Sequence, residues 1–399
     1  MDIEITHYFC SKINYYDNIF RVGISPAYVK ALTELDIINP TEIQQAVIPT
    51  LLSTKTDLIG LAQTGTGKTA AYGLPILSNI DSNRNEVQGL IIAPNRELVQ
   101  QIKKQLFKFT KYIDEKIFVE GVYGGEKIER QIKSLTRPTH IVVATPGRLL
   151  DLIERRALNI SQVRTLILDE ADEMLSMGFK EDLNEILTYN THKRNTWLFS
   201  ATMPQEIKLI IKNYMSPDAV KVEVNKNAVV NENISHYFIK TEIKNKVDVI
   251  AKLLDERQDE RGLIFCRTKA GTQKLTKQLQ SKGYAVDALE GDMQQRDREK
   301  VMRAFKNEHL QFLVSTDVAA RGIDVNNLAF VLHHQFPEQL EYYTHRSGRT
   351  ARAGKKGQSI VLILPSEIQN IRNAEKKLGI TFSEMKMYSN AVLKRKLFI

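Results

Sequence analysis

The octapeptide Ala62-Gln63-Thr64-Gly65-Thr66-Gly67-Lys68-Thr69 follows the apolar run Asp57 to Ala62 (DLIGLA), and together they leave the chain few ways to fold locally. The run reads as a short buried strand. The two glycines then allow a turn that brings backbone N–H groups against phosphate oxygens, since glycine adopts left-handed backbone without steric cost. Lys68 supplies a point charge for β and γ phosphates, and Thr69 offers a hydroxyl to Mg²⁺. The helix expected to begin here points the positive end of its dipole at the same anions. A strand feeding straight into such a helix is part of a βαβ unit, which places the chain among α/β folds.

A second motif, Asp169-Glu170-Ala171-Asp172, ends the apolar run Thr165-Leu166-Ile167-Leu168. Asp169 therefore stands at the carboxyl edge of a sheet, where doubly wound folds bind ligands. Its carboxylate can hold Mg²⁺ through water. Glu170, one residue on, is placed to orient or deprotonate an attacking water near the γ-phosphate.

Strand-like runs alternate with helical stretches twice along the chain. In the first half they are Gly89 to Pro94, His140 to Thr145, Thr165 to Glu170 and Thr196 to Thr202. Between them, Leu98, Ile102, Leu106 and Phe109 recur at helical spacing, with lysines and glutamines on the opposite face. The second half repeats the layout with Arg261 to Cys266, Tyr284 to Gly291, Leu310 to Thr316, Ala329 to Phe336 and Gln358 to Leu364. Its first strand is read as Arg261 to Cys266, followed by Arg267-Thr268-Lys269, so this half lacks a phosphate loop of its own. Ser216 to Glu232 carries Pro, Asp and several Asn without a sustained period and reads as a flexible linker. The expected organisation is an N-terminal domain over 20–215, a linker over 216–232, a C-terminal domain over 233–365 and a short tail over 366–399 that opens with a helix from Glu367 to Leu378.

At 399 residues the chain is long for one domain of the usual ~100–200. Its net charge of +9 favours an anionic partner, nucleic acid before membrane, because no apolar run reaches the ~18 residues that a spanning helix needs. Only Cys10 and Cys266 occur, and the N-terminus lacks a signal-peptide layout, so a reduced, cytoplasmic protein is expected. Eight scattered histidines make no metal site; the adjacent pair His333-His334 would point to opposite faces of a strand. Trp197 reads as core.

Taken in order, these motifs resemble the DEAD-box RNA helicases from about Phe20 to Gly354. Pro40-Thr41-Glu42-Ile43-Gln44 is similar to the Q motif, Pro94 to Gln100 to motif Ia, Gly124-Gly125 to the GG element, Thr145-Pro146-Gly147-Arg148 to motif Ib and Ser200-Ala201-Thr202 to motif III. Leu263 to Lys269 resembles motif IV, Gly291-Asp292 with Gln295 and Arg298 the QxxR element, Ser315 to Asp324 motif V, and His345 to Gly354 motif VI. The resemblance implies two RecA-like α/β domains, each a mostly parallel sheet flanked by helices.

The resemblance also implies roles. Gln44 reads adenine, using an amide that offers donor and acceptor together. Gly65, Thr66, Gly67, Lys68 and Thr69 hold the phosphates, and Asp324 contacts the ribose. Arg349 and Arg352 act as arginine fingers, His345 meets the acidic motif across the cleft, and Ser200 and Thr202 relay the state of that cleft. RNA is gripped by Arg96, Gly125, Thr145 and Arg148 in the first domain and by Arg267, Thr268, Gln295 and Thr316 in the second, through backbone contacts without base readout. Five positions depart from the family's pattern. Ile37 stands where an aromatic often stacks on adenine, Asn95 where motif Ia has Thr, Glu290 where His is usual, and His334-Gln335 where Tyr-Asp is common.

The expected activity is ATP- and Mg²⁺-dependent local unwinding of short RNA duplexes, or remodelling of RNA–protein complexes, by a monomeric core. An ATP-gated RNA clamp that hydrolyses slowly carries the same motifs, and preference for RNA over DNA separates both from a DNA translocase.

Overall fold

Near-continuous Leu, Ile and Val runs bounded by turns make strands that are buried on both faces. The computed structural model describes residues 22–63, 65–189, 194–224, 231–257, 259–320, 328–351 and 355–386 and gathers these runs into two seven-stranded sheets. The first holds β1 (Leu58–Leu61), β2 (Gly89–Ile92), β3 (Val119–Val122), β4 (Ile141–Ala144), β5 (Thr165–Leu168), β6 (Asn195–Ser200) and β7 (Val220–Glu223) in the order β3-β4-β2-β5-β6-β1-β7. The second holds β8 (Ile234–Lys240), β9 (Gly262–Phe265), β10 (Val286–Leu289), β11 (Phe312–Ser315), β12 (Phe330–His333), β13 (Gly357–Ile363) and β14 (Phe382–Glu384) in the order β10-β11-β9-β12-β13-β8-β14. Every pairing in both is parallel. Subtracting seven from each number in the second sheet returns the order of the first, so the halves share one topology.

That equivalence corrects the strand assignment of the second half. Its first strand is β8, not Arg261 to Cys266, and Thr241-Glu242 with the helix Lys246–Asp255 follows it. The phosphate loop is still missing there. The run Arg261 to Cys266 is instead the counterpart of β2. The span read as linker also changes: Val220 to Glu223 pairs with β1, Leu58 opposite Val220, because Val220, Val222 and Val224 alternate with Lys221 and Glu223 at strand period. Residues 225–230 of that span lie outside the described residues. Beyond residue 365 the expected helix runs Ile368–Leu378, and β14 then adds an edge strand beside β8.

Helices cover both faces of each sheet. On one face of the first, Leu98, Ile102, Leu106 and Phe109 of the helix Arg96–Phe109 are buried, as their spacing predicts, each worth roughly 1.5–3 kcal/mol of transfer from water. Trp197 is core as expected, 1% exposed, and its indole N–H donates to the Thr56 carbonyl at 3.1 Å. Among the described residues no helix is long and apolar enough to cross a membrane.

Candidate nucleotide site and interdomain cleft

The loop after β1 turns through Gly65 at φ 84° and Gly67 at φ 90°, and Gly67 caps the helix Lys68–Ser78. Gln44, in the first turn of the helix Glu42–Ser53, braces it. The Thr41 N–H donates to Gln44 Oε1 at 3.0 Å, and Gln44 Nε2 donates to the Gly67 carbonyl at 3.1 Å. A Cβ at position 67 would lie 2.4 Å from that nitrogen. One amide proton and one lone pair of Gln44 stay uncommitted in this arrangement. Thr66 donates to the Gln63 carbonyl and closes the turn. Lys68 is 6% exposed, and its ammonium has no hydrogen-bond partner among the described residues.

The acidic motif faces this loop from the end of β5. Asp169 is held at both oxygens: Tyr72 Oη donates to Oδ2 at 2.8 Å and the Glu170 N–H to Oδ1 at 3.0 Å. Glu170 sits at φ 51°, ψ 50°, left-handed for a residue with a Cβ, a conformation that costs of order 1–3 kcal/mol. Its Oε2 is buried without a hydrogen-bond partner among the described residues. Burial pushes both carboxyls above their usual range; the Lys68 charge opposes this at Asp169, and Arg349 and Lys68 oppose it at Glu170. A buried ammonium and a buried carboxylate oxygen, both lacking hydrogen bonds beside a left-handed glycine loop, fit a triphosphate, its divalent cation and a water.

The second domain reaches this site through the helix Leu340–Ser347. His345 Nδ1 contacts Glu173 Oε1, and its Nε2 lies 3.8 Å from Asp172 Oδ2. That Asp172 oxygen accepts from both the N–H and the hydroxyl of Thr202, at 2.9 and 2.8 Å, while Ser200 donates to the Thr202 carbonyl at 2.7 Å. The three residues read as coupling groups are thus joined in one chain running His345, Asp172, Thr202, Ser200. Burial alone would lower the His345 pKa, but Glu173, Asp172 and Glu170 together hold it above the ordinary value. Arg349 is buried close enough for its charge to act on Glu170. Arg346 forms a bidentate pair with Asp317, at 2.5 and 2.7 Å, which locks motif VI to motif V. Asp324 and Arg352 lie outside the described residues.

Further contacts close the cleft where the helices Arg96–Phe109 and Gln295–Lys306 approach. Arg298 Nε donates to Glu97 at 2.5 Å, and Arg96 pairs with Glu299. Residues 41–210 match the DEAD/DEAH box helicase family and residues 245–354 the helicase conserved C-terminal domain. The chain is 42% identical over 357 residues to the DEAD-box ATP-dependent RNA helicase CshA of Bacillus cereus, covering 89% of this chain and 67% of that protein. The chain belongs to the DEAD-box ATP-dependent RNA helicases.

Solved DEAD-box structures share its arrangement. S. cerevisiae Dbp5 bound to RNA and ADP BeF3 has a TM-score of 0.86 at 26% identity, over 96% of the helicase and 99% of that chain. Mss116p bound to ssRNA and AMP-PNP scores 0.82 at 31% identity, over 93% and 79%.

The residues read as RNA contacts fall at equivalent places in the two sheets. Arg96 follows β2 and Arg267 and Thr268 follow β9; Gly125 follows β3 and Gln295 follows β10; Thr145 and Arg148 follow β4 and Thr316 follows β11. Both halves of the helicase therefore present the carboxyl ends of the same three strands. Gly125 takes φ 81°, and Thr145 and Thr268 each precede a helix, Thr268 accepting from the Gly271 N–H at 3.0 Å. The arginines are engaged within the protein. Arg148 donates to the Glu126 carbonyl at 3.2 Å and to Gln131 at 3.0 Å, inside its own domain. Arg96 packs over the Tyr123 ring beside Glu299, and Arg267 pairs with Glu338. Gln295 opens its helix, and its side chain lies outside those described.

Three of the departures from the family's pattern have local explanations. Asn95 Oδ1 caps its helix through the Leu98 N–H at 2.9 Å, leaving Nδ2 without a partner among the described residues. Glu290 accepts from Gln273 and from the Asp292 N–H. Ile37 packs, partly buried, against the apolar cluster that includes Ile43, Val47 and Trp197. Sequence reasoning missed Tyr72 and Glu173 and the pairing of Glu97 with Arg298. Tyr72 lies one helical turn beyond Thr69, the only signal that could have found it.

Proposed function

We propose that the helicase binds ATP on Gly65, Thr66, Gly67, Lys68 and Thr69, closes its two domains on single-stranded RNA, and locally parts short duplexes. The observation carrying this reading is the His345–Glu173 contact beside the orphaned Lys68 and Glu170, which completes one site from two domains. Thr69 and Asp169 would hold Mg²⁺, which neutralises phosphate charge and orients the γ-phosphoryl group. Lys68 binds the β and γ phosphates. Glu170, held high by burial, accepts a proton from the attacking water as the Arg349 charge stabilises the negative charge developing in transfer. Arg352 and Asp324 complete the finger pair and the ribose contact, and Gln44 directs its uncommitted donor and acceptor to adenine. RNA lies across the carboxyl ends of the equivalent strands, where hydroxyls and N–H groups serve phosphate and sugar without reading bases.

ATP and RNA each contact both halves, so each favours the closed state and strengthens binding of the other. Hydrolysis and phosphate release undo the Lys68 and Arg349 contacts and reopen the cleft. The low cysteine count and bacterial relatives support a cytoplasmic protein, and a core that completes its site from one chain supports a monomer.

Steady-state ATPase with single-stranded RNA, with DNA of the same sequence and with neither tests the reading. Stimulation by RNA alone, abolished by Glu170→Gln, is expected. Absence of stimulation with RNA retained on a non-hydrolysable analogue would instead identify a clamp, and equal stimulation by DNA would reject RNA selectivity.

A further inference from the structure

Tyr72 is fully buried, yet its hydroxyl is spent on the nucleotide site and not on the core around it. The residue lies one turn into the helix Lys68–Ser78, its ring 5.2 Å from that of Phe199 and tilted 50° to it. The phenol donates to Asp169 Oδ2 at 2.8 Å. It thus holds Asp169, one of the two side chains expected to carry the divalent cation. With Asp169 Oδ1 already taken by the Glu170 N–H, the phenol removes the last rotational freedom of that carboxylate.

We propose that Tyr72 is a positioning residue for the Mg²⁺–nucleotide complex, fixing the Asp169 carboxylate in one orientation. The inference rests on the ATP and Mg²⁺ reading above. Mg²⁺ demands near-ideal octahedral geometry, so ligands that swing freely bind it less well. Partners one shell out typically set 10–100-fold of metal affinity or activity. A phenol serving only to fill space would leave that response untouched.

The test is Tyr72→Phe, which keeps the ring and deletes the hydroxyl, read by equilibrium binding of a fluorescent ADP titrated with Mg²⁺ and by thermal melting. The Mg²⁺ concentration for half-maximal strengthening of ADP binding should rise about tenfold, with ADP affinity in excess EDTA unchanged. Phe199→Leu, which loosens the same ring without touching the hydroxyl, should lower the melting temperature and leave the Mg²⁺ midpoint in place. A Tyr72→Phe protein with a wild-type midpoint, whatever its melting temperature, would assign Tyr72 to packing and overturn the proposal. Failure of the underlying reading looks different: wild-type ADP binding would itself ignore Mg²⁺.

Discussion

The Glu97–Arg298 pair offers a direct measure of how much one contact contributes to closure. Arg298 is held in its own domain by donation to the Ala319 carbonyl at 2.7 Å and reaches Glu97 of the other at 2.5 Å, with side chains only 13% and 20% exposed. A pre-oriented, mostly buried, charge-assisted bond of this kind is worth about 1.5–3 kcal/mol. Because the pair spans the cleft, its loss acts on closure and leaves each domain's own stability alone. About 2 kcal/mol corresponds to roughly 30-fold in the closing equilibrium. Glu97→Gln should therefore weaken RNA binding in the presence of AMP-PNP by about that factor and change binding without nucleotide far less. Arg298→Gln and the double variant complete a cycle, in which the two single losses should fail to add by at least ~1 kcal/mol. Coupling below about 0.5 kcal/mol, or equal weakening with and without nucleotide, would refute the claim that the pair works through closure.

Three further outcomes are expected. Glu170→Gln should keep nucleotide affinity while RNA-stimulated hydrolysis falls by about 10²-fold or more, in single-turnover assays, as loss of a general base requires. Gly67→Ala must place a Cβ at φ 90° and 2.4 Å from Gln44 Nε2, so it should cost of order 1–3 kcal/mol in local stability and displace the Gln44 brace, read by melting and ATP affinity. His345 has its pKa raised in the closed state, so its contribution is fully present below about pH 6.5 and is lost as pH rises through the raised value. RNA affinity with AMP-PNP should accordingly decline as pH rises above about 6.5, and His345→Gln should flatten that decline; an unchanged slope would remove the histidine from closure.

The phosphate loop and the acidic motif were legible because each is local: a few consecutive residues dictate strand, turn and helix start, and the chemistry rides on that turn. The βαβ alternation was legible for a related reason, since strands buried on both faces must be apolar throughout. Strand β7 escaped because its short run of alternating Val and charged residues looks like a loop until β1 is beside it. β8 escaped in favour of the more apolar β9, and only the shared strand order revealed which was first. The roles of single arginines were hardest. Arg148 and Arg267 have the same chemistry, yet one turns inward to Glu126 and Gln131 and the other pairs at the surface with Glu338.

The sequence by itself determined the two α/β halves, the phosphate loop with Lys68 and Thr69, and the carboxylates of Asp169 and Glu170, because propensity, burial period and turn chemistry act over a few residues at a time. Only the tertiary structure decided that His345 meets Glu173, that Arg298 meets Glu97 and that Tyr72 holds Asp169. Those pairs lie from about a hundred to two hundred residues apart in the chain, and nothing in either local sequence encodes the distance between them once two sheets have packed and closed.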